Sequence, residues 1–560
     1  MPDSPLVSLI AVIAAMMVAR FFVARELSSA RRALDSRWAP WFAGLSTGAV
    51  TWFAWGTLRA LPVVHDETAY LLQAELFSRL RWTGLARPLP QFFEQLYVLV
   101  DPVLASKYPP GTSLLLAPGV LLGLPGLPVI LMNVLTGALI FDLARRLSGR
   151  YVALLTWMIW ITCFPVIYFR IMYLSEVATG LAWLVTWWGI LRWRDTMGRR
   201  HLVLAAVAVG VAIISRPLTG VALGLVAIVA VLRVMRARGR WRDLTPALAA
   251  GLLVVAILPL WNWRTTGSVA LSPLSLYTKT YVPFDKPGFG VPPNARPSPR
   301  LPKDQAITST SFFLEHARHT VAALPKTAWQ RLERIGLDAW YGWRGGLALF
   351  AVIGLFVVPA AAWVGVAALA LQFLLYLSYA HPPFWSVYYA EGAPLLAFLS
   401  AVGVAHAVSW AARRGASSEP ARGLHLATTM LAAAAMIPLV LTARQVRAAS
   451  SSDHAYHADF ARRLDAIQEP RAVVFIRYGP QHNDGLSLVH NEVDLGTARV
   501  WTAYDRGAEN ELLLRLAPER TAYLFDEASG TLSRIQHTAQ GARNASTTPR
   551  PEQVSPAPRR

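Results

Sequence analysis

A single cysteine, Cys163, occurs in 560 residues, and it lies within an apolar run. One thiol excludes a disulfide framework and any metal site built on paired cysteines. Acidic side chains are scarce too, 33 Asp and Glu against 53 Lys and Arg, and charged residues of both signs make up only 15% of the chain. In a soluble protein the net charge of +20 would point to nucleic acid. Here the basic residues gather in short loops between apolar segments, which is a topology signal, and no nucleic-acid partner is expected. The first apolar segment, PLVSLIAVIAAMMVARFFVA, has no basic leader region and no small-residue cleavage site, so it reads as a membrane helix rather than a secretory signal.

What fills the chain instead is hydrophobic, 54% of residues with 21 Trp among them. Windows of about 17 to 24 mostly apolar residues predict an all-α polytopic membrane protein with about twelve spans, in a range of eleven to thirteen. They fall near 5–24, 41–64, 127–145, 151–169, 174–192, 201–216, 218–235, 245–263, 346–362, 364–380, 388–410 and 424–443. Loops around 20–40, 145–150, 192–200, 233–242 and 413–422 hold most of the loop arginines, and twelve spans place all five on one side. The positive-inside rule makes that side the cytoplasm and puts both termini outside. The stretch PPGTSLLLAPGVLLGLPG, 109 to 126, is broken by Pro118 and Pro125 and reads as an interfacial or re-entrant segment.

The expected organisation is a transmembrane domain over 1–445, a small α/β appendage over 446–540 containing the runs AVVFI and TAYLF, and a disordered tail over 541–560. Two long outer loops, 65–126 and 264–345, interrupt the first of these. In the first loop YLLQAELFSRLRW sets Tyr70, Leu71, Ala74, Phe77 and Leu80 against Gln73, Glu75, Arg79 and Arg81, the pattern of an amphipathic helix lying on the membrane. The second contains VPFDKPGFGVPPNARPSPRLP, whose proline and glycine content predicts a mobile loop near an entrance.

This topology was set by apolar runs and loop arginines alone, yet the remaining polar residues collect at one boundary. Asp66 and Glu67 of HDETAY follow the second span, Lys107 precedes Pro109 and Pro110, and Arg170 and Glu176 join spans four and five. Arg216 lies between spans six and seven, while His381, Tyr388, Tyr389 and Glu391 flank the HPPFW turn. Arginine in a short outer hairpin runs against the topology bias, and charge near a bilayer tends to face an interior or a watery cavity. Taken singly, each has a plainer reading: a helix cap for Asp66 and Glu67, a snorkelling lysine at 107, structural ion pairs for Arg170 and Arg216, an aromatic belt for the tyrosines. Together they outline a polar chamber. A carboxylate takes a proton from an alcohol or holds a divalent cation, and Lys and Arg neutralise phosphate. That is the equipment for moving a sugar from a lipid-linked phosphate to a hydroxyl. A transporter or flippase, and a non-catalytic assembly scaffold, are the rival classes.

The series HDETAY, KYPPGTSLLLAP, NVLTGALIFDLARRLSGR, YFRIMYLSEVATG and SRPLTG resembles the GT-C class of membrane glycosyltransferases, in particular the protein mannosyltransferase and aminoarabinose transferase superfamily. The resemblance covers roughly 60–225, with a weaker match at YYAEGAPLLA. It implies Asp66 as general base with Glu67 supporting it, Lys107, Arg170 and Arg216 as donor-phosphate ligands, and Tyr70, Tyr108, Glu176, His381, Tyr388, Tyr389 and Glu391 as substrate contacts. It further implies a polyprenyl-phosphate sugar as donor, a glycan, lipid or protein as acceptor, and an inverting reaction at the outer face of a bacterial inner membrane. A divalent cation on Asp66 and Glu67 stays open, since relatives work with and without one. Many relatives carry an arginine at the start of the span after the Pro-Pro segment, where this chain reads LPVILMNVLTG.

Overall fold

The computed structural model describes residues 4, 6–22, 28–292, 294–414 and 420–535, and the tail expected to be disordered from 541 onward lies outside them. Helices dominate. Among the described residues five helices are long and apolar enough to cross a bilayer: Gly126–Ser148, Pro217–Arg238, Trp241–Thr266, Ser386–Arg413 and His425–Asp465. A sixth arises if Leu347–Val357 and Ala360–Tyr376, bent by 112° at their junction, form one broken span. Leu6–Phe21, Gly111–Leu121 and Arg150–Ile161 are apolar but shorter. At 1.5 Å per residue the 11-residue Gly111–Leu121 helix is only about 16 Å long, half the hydrocarbon thickness. The chain is a multi-pass membrane protein.

The basic loops meet at one end. Arg150 pairs with Asp35 at 2.7 Å and Arg145 donates to the carbonyls of Leu34 and Ser36, joining the loop at 28–37 to that at 145–150. Trp188 reaches Asp142 at 2.9 Å, Arg199 reaches Asp243 at 2.8 Å, and Tyr151 meets His425 at 2.9 Å. Between the spans small residues allow close approach: a Cβ on Gly354 or Gly403 would run into the backbone of Leu399 or Phe350 on the facing helix.

At the opposite end, the first outer loop folds on itself. Strand Val103–Ser106 lies between Gly84–Leu85 and Val98–Leu99 in a small antiparallel sheet. The helix His65–Ser78 packs against this sheet and against Gly111–Leu121, and this corrects the expectation of an amphipathic helix on the membrane. Gln73, assigned to the watery side, is fully buried, accepting from the N–H of Ser106 and donating to the carbonyl of Trp82. Leu80 sits beyond the helix end and is exposed. Within the polar stripe Gln73 meets the loop's own strand, while Arg79 and Arg81 stay partly exposed and pair with Asp494.

The second outer loop carries the helices Pro273–Tyr281, Lys303–Arg318 and Leu324–Ala339. Its proline- and glycine-rich part has no regular structure but is pinned: Phe284 is buried, Gly288 N–H donates to the carbonyl of Ser378, and Gly290 N–H to that of His319.

The longest helix, Pro420–Asp465, has 46 residues and extends about 69 Å, more than twice the hydrocarbon thickness. It leads into a sheet ordered Val500–Tyr504, Ala472–Arg477, Thr521–Asp526, Thr531–Arg534, parallel except at the last strand. Ala472–Arg477 is buried on both faces, as a central parallel strand covered on two sides must be. On one face Val473 and Phe475 pack with Trp501 and with Phe92 and Phe93 of the first outer loop. Arg79 and Arg81 bracket Asp494 at 2.8 and 2.7 Å, so this unit docks onto the first loop through both apolar and charged contacts.

Candidate active site

Asp66 is the second residue of the helix His65–Ser78, where the N-terminal end of the macrodipole favours a carboxylate. It is half-buried, and the hydroxyl of Tyr108 donates to its Oδ1 at 2.5 Å. Oδ2 accepts no hydrogen bond from any described residue. Its neighbour is placed quite differently. Glu67 is 2% exposed, its Oε2 accepting from the N–H groups of Val63 and Val64 at 2.8 and 3.2 Å and its Oε1 from Tyr173 N–H at 2.9 Å. It caps its own helix and ties the HDETAY turn to the YLSE turn before the helix Ser175–Thr196. Both oxygens are therefore spent on backbone N–H groups, so Glu67 holds the turn together. Burial pushes its carboxyl above the usual range, although the N–H groups of Tyr173, Val63 and Val64 act against this.

Lys107 leaves the end of strand Val103–Ser106, where Pro109 and Pro110 stop the ladder and a helix starts at Gly111. A Cβ on Gly111 would collide with Ser215 and Ile214, so glycine is what lets this turn approach the end of the helix Arg199–Ser215, next to Arg216. Lys107 is 5% exposed. Its Nζ lies 3.6 Å from Asp285 Oδ2 and over the rings of Tyr97, Tyr277 and Tyr108 at 4.0, 5.2 and 5.3 Å. Asp285 also accepts from Tyr379 at 2.7 Å. Burial alone would raise Asp285, but the Lys107 charge, the Tyr379 hydrogen bond and the nearby His316 ring override it and hold the carboxyl at about 2.

Arg216 occupies the break between Arg199–Ser215 and Pro217–Arg238 in extended backbone, the conformation that the following proline imposes. Its Nη1 is 3.1 Å from Glu391 Oε1 and 3.9 Å from Glu176 Oε2, and its guanidinium lies 5.1 Å from the centre of the Tyr388 ring. Glu391 accepts further bonds from Thr179 at 2.5 Å and Gln372 at 2.9 Å. Arg170, by contrast, spends Nε on Asn133 at 2.6 Å and Nη2 on Thr136 at 2.8 Å. Asn133 lies in the very LPVILMNVLTG segment that lacks the arginine of many relatives.

These groups form one contact chain. Tyr70 stacks on Tyr108 at 4.7 Å, Tyr108 holds Asp66 and flanks Lys107, Asp285 links Lys107 to Tyr379, and Tyr379, Tyr388 and Arg216 lead to Glu391 and Glu176. The Asp66 charge acts on Tyr70, Tyr97, Glu176 and Tyr388. His381 and Tyr389 stand at the margin: His381 Nε2 meets the Tyr389 hydroxyl at 3.1 Å and Nδ1 the carbonyl of Pro382 at 2.9 Å. Donation from Nδ1 to that carbonyl leaves Nε2 to accept, which fits a neutral ring. Burial, helped by the charge of Arg331, depresses His381 to about 3. Asp285, Tyr97, Tyr277 and Gln372 were not anticipated. For Asp285 a signal existed, since it is the only acidic residue in the stretch 282–302.

A pH effect follows. Between about 6.5 and 3 an unfolded chain protonates this histidine while the folded one does not, so the stability it contributes is present above 6.5 and is lost on acidification. His381→Gln should therefore flatten the fall in melting temperature between pH 6.5 and 4. An unchanged slope would remove His381 from that dependence.

Among the described residues no group of three His, Cys, Asp or Glu side chains converges as metal ligands. With Glu67 committed to backbone N–H groups, the Asp66 and Glu67 pair does not fit a resident divalent cation.

Comparison with known proteins adds the following. Residues 125–263, about a quarter of the chain, match the family model described as dolichyl-phosphate-mannose-protein mannosyltransferase. No curated protein sequence matches. Among solved structures, ArnT from Cupriavidus metallidurans bound to undecaprenyl phosphate is 15% identical with a TM-score of 0.49, covering 87% of this chain and 93% of that one. Its apo form gives 16% and 0.48, with 86% and 92% covered. Arabinosyltransferase EmbB from Mycobacterium smegmatis gives 14% and 0.38, with 71% and 33% covered. The chain resembles the GT-C membrane glycosyltransferases, and its segment 125–263 matches the model of their dolichyl-phosphate-mannose-protein mannosyltransferase family.

Proposed function

We propose that this chain is an inverting glycosyltransferase that moves a sugar from a polyprenyl-phosphate donor to an acceptor hydroxyl. It works at the outer face of a bacterial inner membrane, with about twelve spans and its C-terminal sheet on the same side as the site. Asp66 takes the proton of the acceptor hydroxyl through Oδ2 while Tyr108 fixes Oδ1. The acceptor oxygen bonds to the anomeric carbon from the side opposite the phosphate, the bond between that carbon and the phosphate oxygen breaks, and the electron pair leaves with polyprenyl phosphate. Lys107, with Arg216 beyond it, stabilises that leaving charge. Arg170 holds the scaffold through Asn133 and Thr136. The match of 125–263 to a family described by a dolichyl-phosphate sugar supports the donor class.

One observation carries the reading: an accessible carboxylate, Asp66, bound to a tyrosine that also flanks a buried lysine caged by aromatic rings. Mass spectrometry of cell-envelope glycans and lipid-linked sugars in a deletion strain tests it. One sugar should vanish from the envelope while its polyprenyl-phosphate form accumulates. An unchanged profile of both would count against the reading.

Asp285 competes with any phosphate for Lys107. Asp285→Asn is expected to tighten binding of polyprenyl phosphate severalfold, measured by titration in detergent. Weaker binding would mean that the carboxylate mainly positions the lysine.

A further inference from the structure

At the Glu176 end of the contact chain lies a cleft whose lining includes neither Asp66 nor Lys107. Its walls are mostly apolar, with Trp160, Phe169, Ile335 and Leu396 among them, and Arg170 and Glu176 stand at its polar side. One wall is the helix Leu324–Ala339, which buries one arginine and exposes several large apolar side chains. Arg331, with 0% exposure, points inward and donates to the carbonyls of Tyr376, Tyr379 and His381. Trp329, Leu332 and Leu337 point outward at 67%, 51% and 57% exposure. Lys326 and Glu333 are exposed on the same helix, so its outer side combines large apolar side chains with charges, the arrangement of a helix at a lipid interface. The cleft beneath it therefore opens at membrane level.

The polar chemistry of the cleft decides what enters. Arg170 is occupied by Asn133 and Thr136, and Asp338 accepts from Arg334 and Ser386. Among the lining residues the buried polar side-chain atom left without a partner is Oε1 of Glu176, an acceptor. A carboxyl oxygen without a partner accepts from a hydroxyl. We propose that this cleft is a lateral entrance for the acceptor, and that the acceptor is an amphiphile whose apolar part lies under Leu324–Ala339 while a sugar hydroxyl donates to Glu176. The donor enters elsewhere, on the Lys107 side. The inference rests on the glycosyltransferase reading for the word acceptor, whereas the binding stands or falls separately.

The test uses the full chain in lipid nanodiscs and two photoreactive probes with the same diazirine-bearing alkyl chain, one a glucoside and one a phosphate. Peptide mapping should find the glucoside on residues such as Val166, Ile335 and Ala339, labelled at least fivefold more than by the phosphate probe. Excess unlabelled alkyl glucoside should suppress that labelling in the wild type, and Ala393→Phe, which fills the cleft, should do the same. Glucoside labelling spread evenly over the lipid-facing surface, or phosphate labelling of the cleft at equal strength, would overturn the assignment. Polyprenyl-phosphate binding is measured alongside. Its loss in Lys107→Ala together with intact cleft labelling keeps the two sites distinct, and no polyprenyl-phosphate binding in the wild type would count against the glycosyltransferase reading while leaving the cleft result to stand.

Discussion

Asp66→Asn is expected to lower the rate of sugar transfer roughly a thousandfold, within the range that positioned general bases supply, and to leave folding intact. The reasoning is local. Asparagine keeps an oxygen to accept from the Tyr108 hydroxyl, and the helix start is held by its neighbour, with Glu67 taking the N–H groups of Val63, Val64 and Tyr173. What disappears is a basic oxygen at Oδ2. Initial rates in nanodiscs, read beside a melting curve, separate chemistry from stability. A variant within tenfold of wild type would show that the proton leaves by another route.

The second large effect is on stability. Arg216→Met would leave Glu391, 1% exposed, and Glu176 beside it without their cation. Removing one member of a buried charge pair costs about 3 to 5 kcal/mol, because the carboxylate that remains has been taken out of water without compensation. Thr179 and Gln372 still donate to Glu391, which softens the loss but supplies no charge. A clear drop in melting temperature is expected for Arg216→Met, and the double variant Arg216→Met with Glu391→Gln should recover much of it, since the stranded charge is gone. Equal stability of the single variant and wild type would contradict this account of the pair.

These expectations rest on residues legible in the sequence to different degrees. Carboxylates just after an apolar run, a lysine before two prolines and arginines in outer hairpins stand out because each is a polar group where the bilayer boundary disfavours it. Their assembly through Tyr108, Asp285 and Tyr388 depends on contacts between distant segments, which no local pattern encodes. The division of labour between Asp66 and Glu67 was hidden for the same reason: Glu67 is satisfied by Tyr173, 106 positions away. Periodicity marks 70–80, but the strand Val103–Ser106 of the same loop packs on that helix, while Leu324–Ala339 buries Arg331 and exposes Trp329, Leu332 and Leu337. Periodicity reports that a helix has two faces and does not say which medium each face meets. The proline- and glycine-rich loop was legible as irregular, yet its anchoring by Phe284 and Asp285 depends on partners across the fold.

The central claim is chemical conversion of a lipid-linked sugar at the site around Asp66. Purified protein in liposomes, supplied with polyprenyl-phosphate sugars and envelope acceptors and read by mass spectrometry, tests it most directly. The account predicts an acceptor heavier by one sugar and an equal amount of free polyprenyl phosphate, both absent with Asp66→Asn. Passage of the lipid-linked sugar across the bilayer with no change in any mass would contradict it and identify a transporter instead.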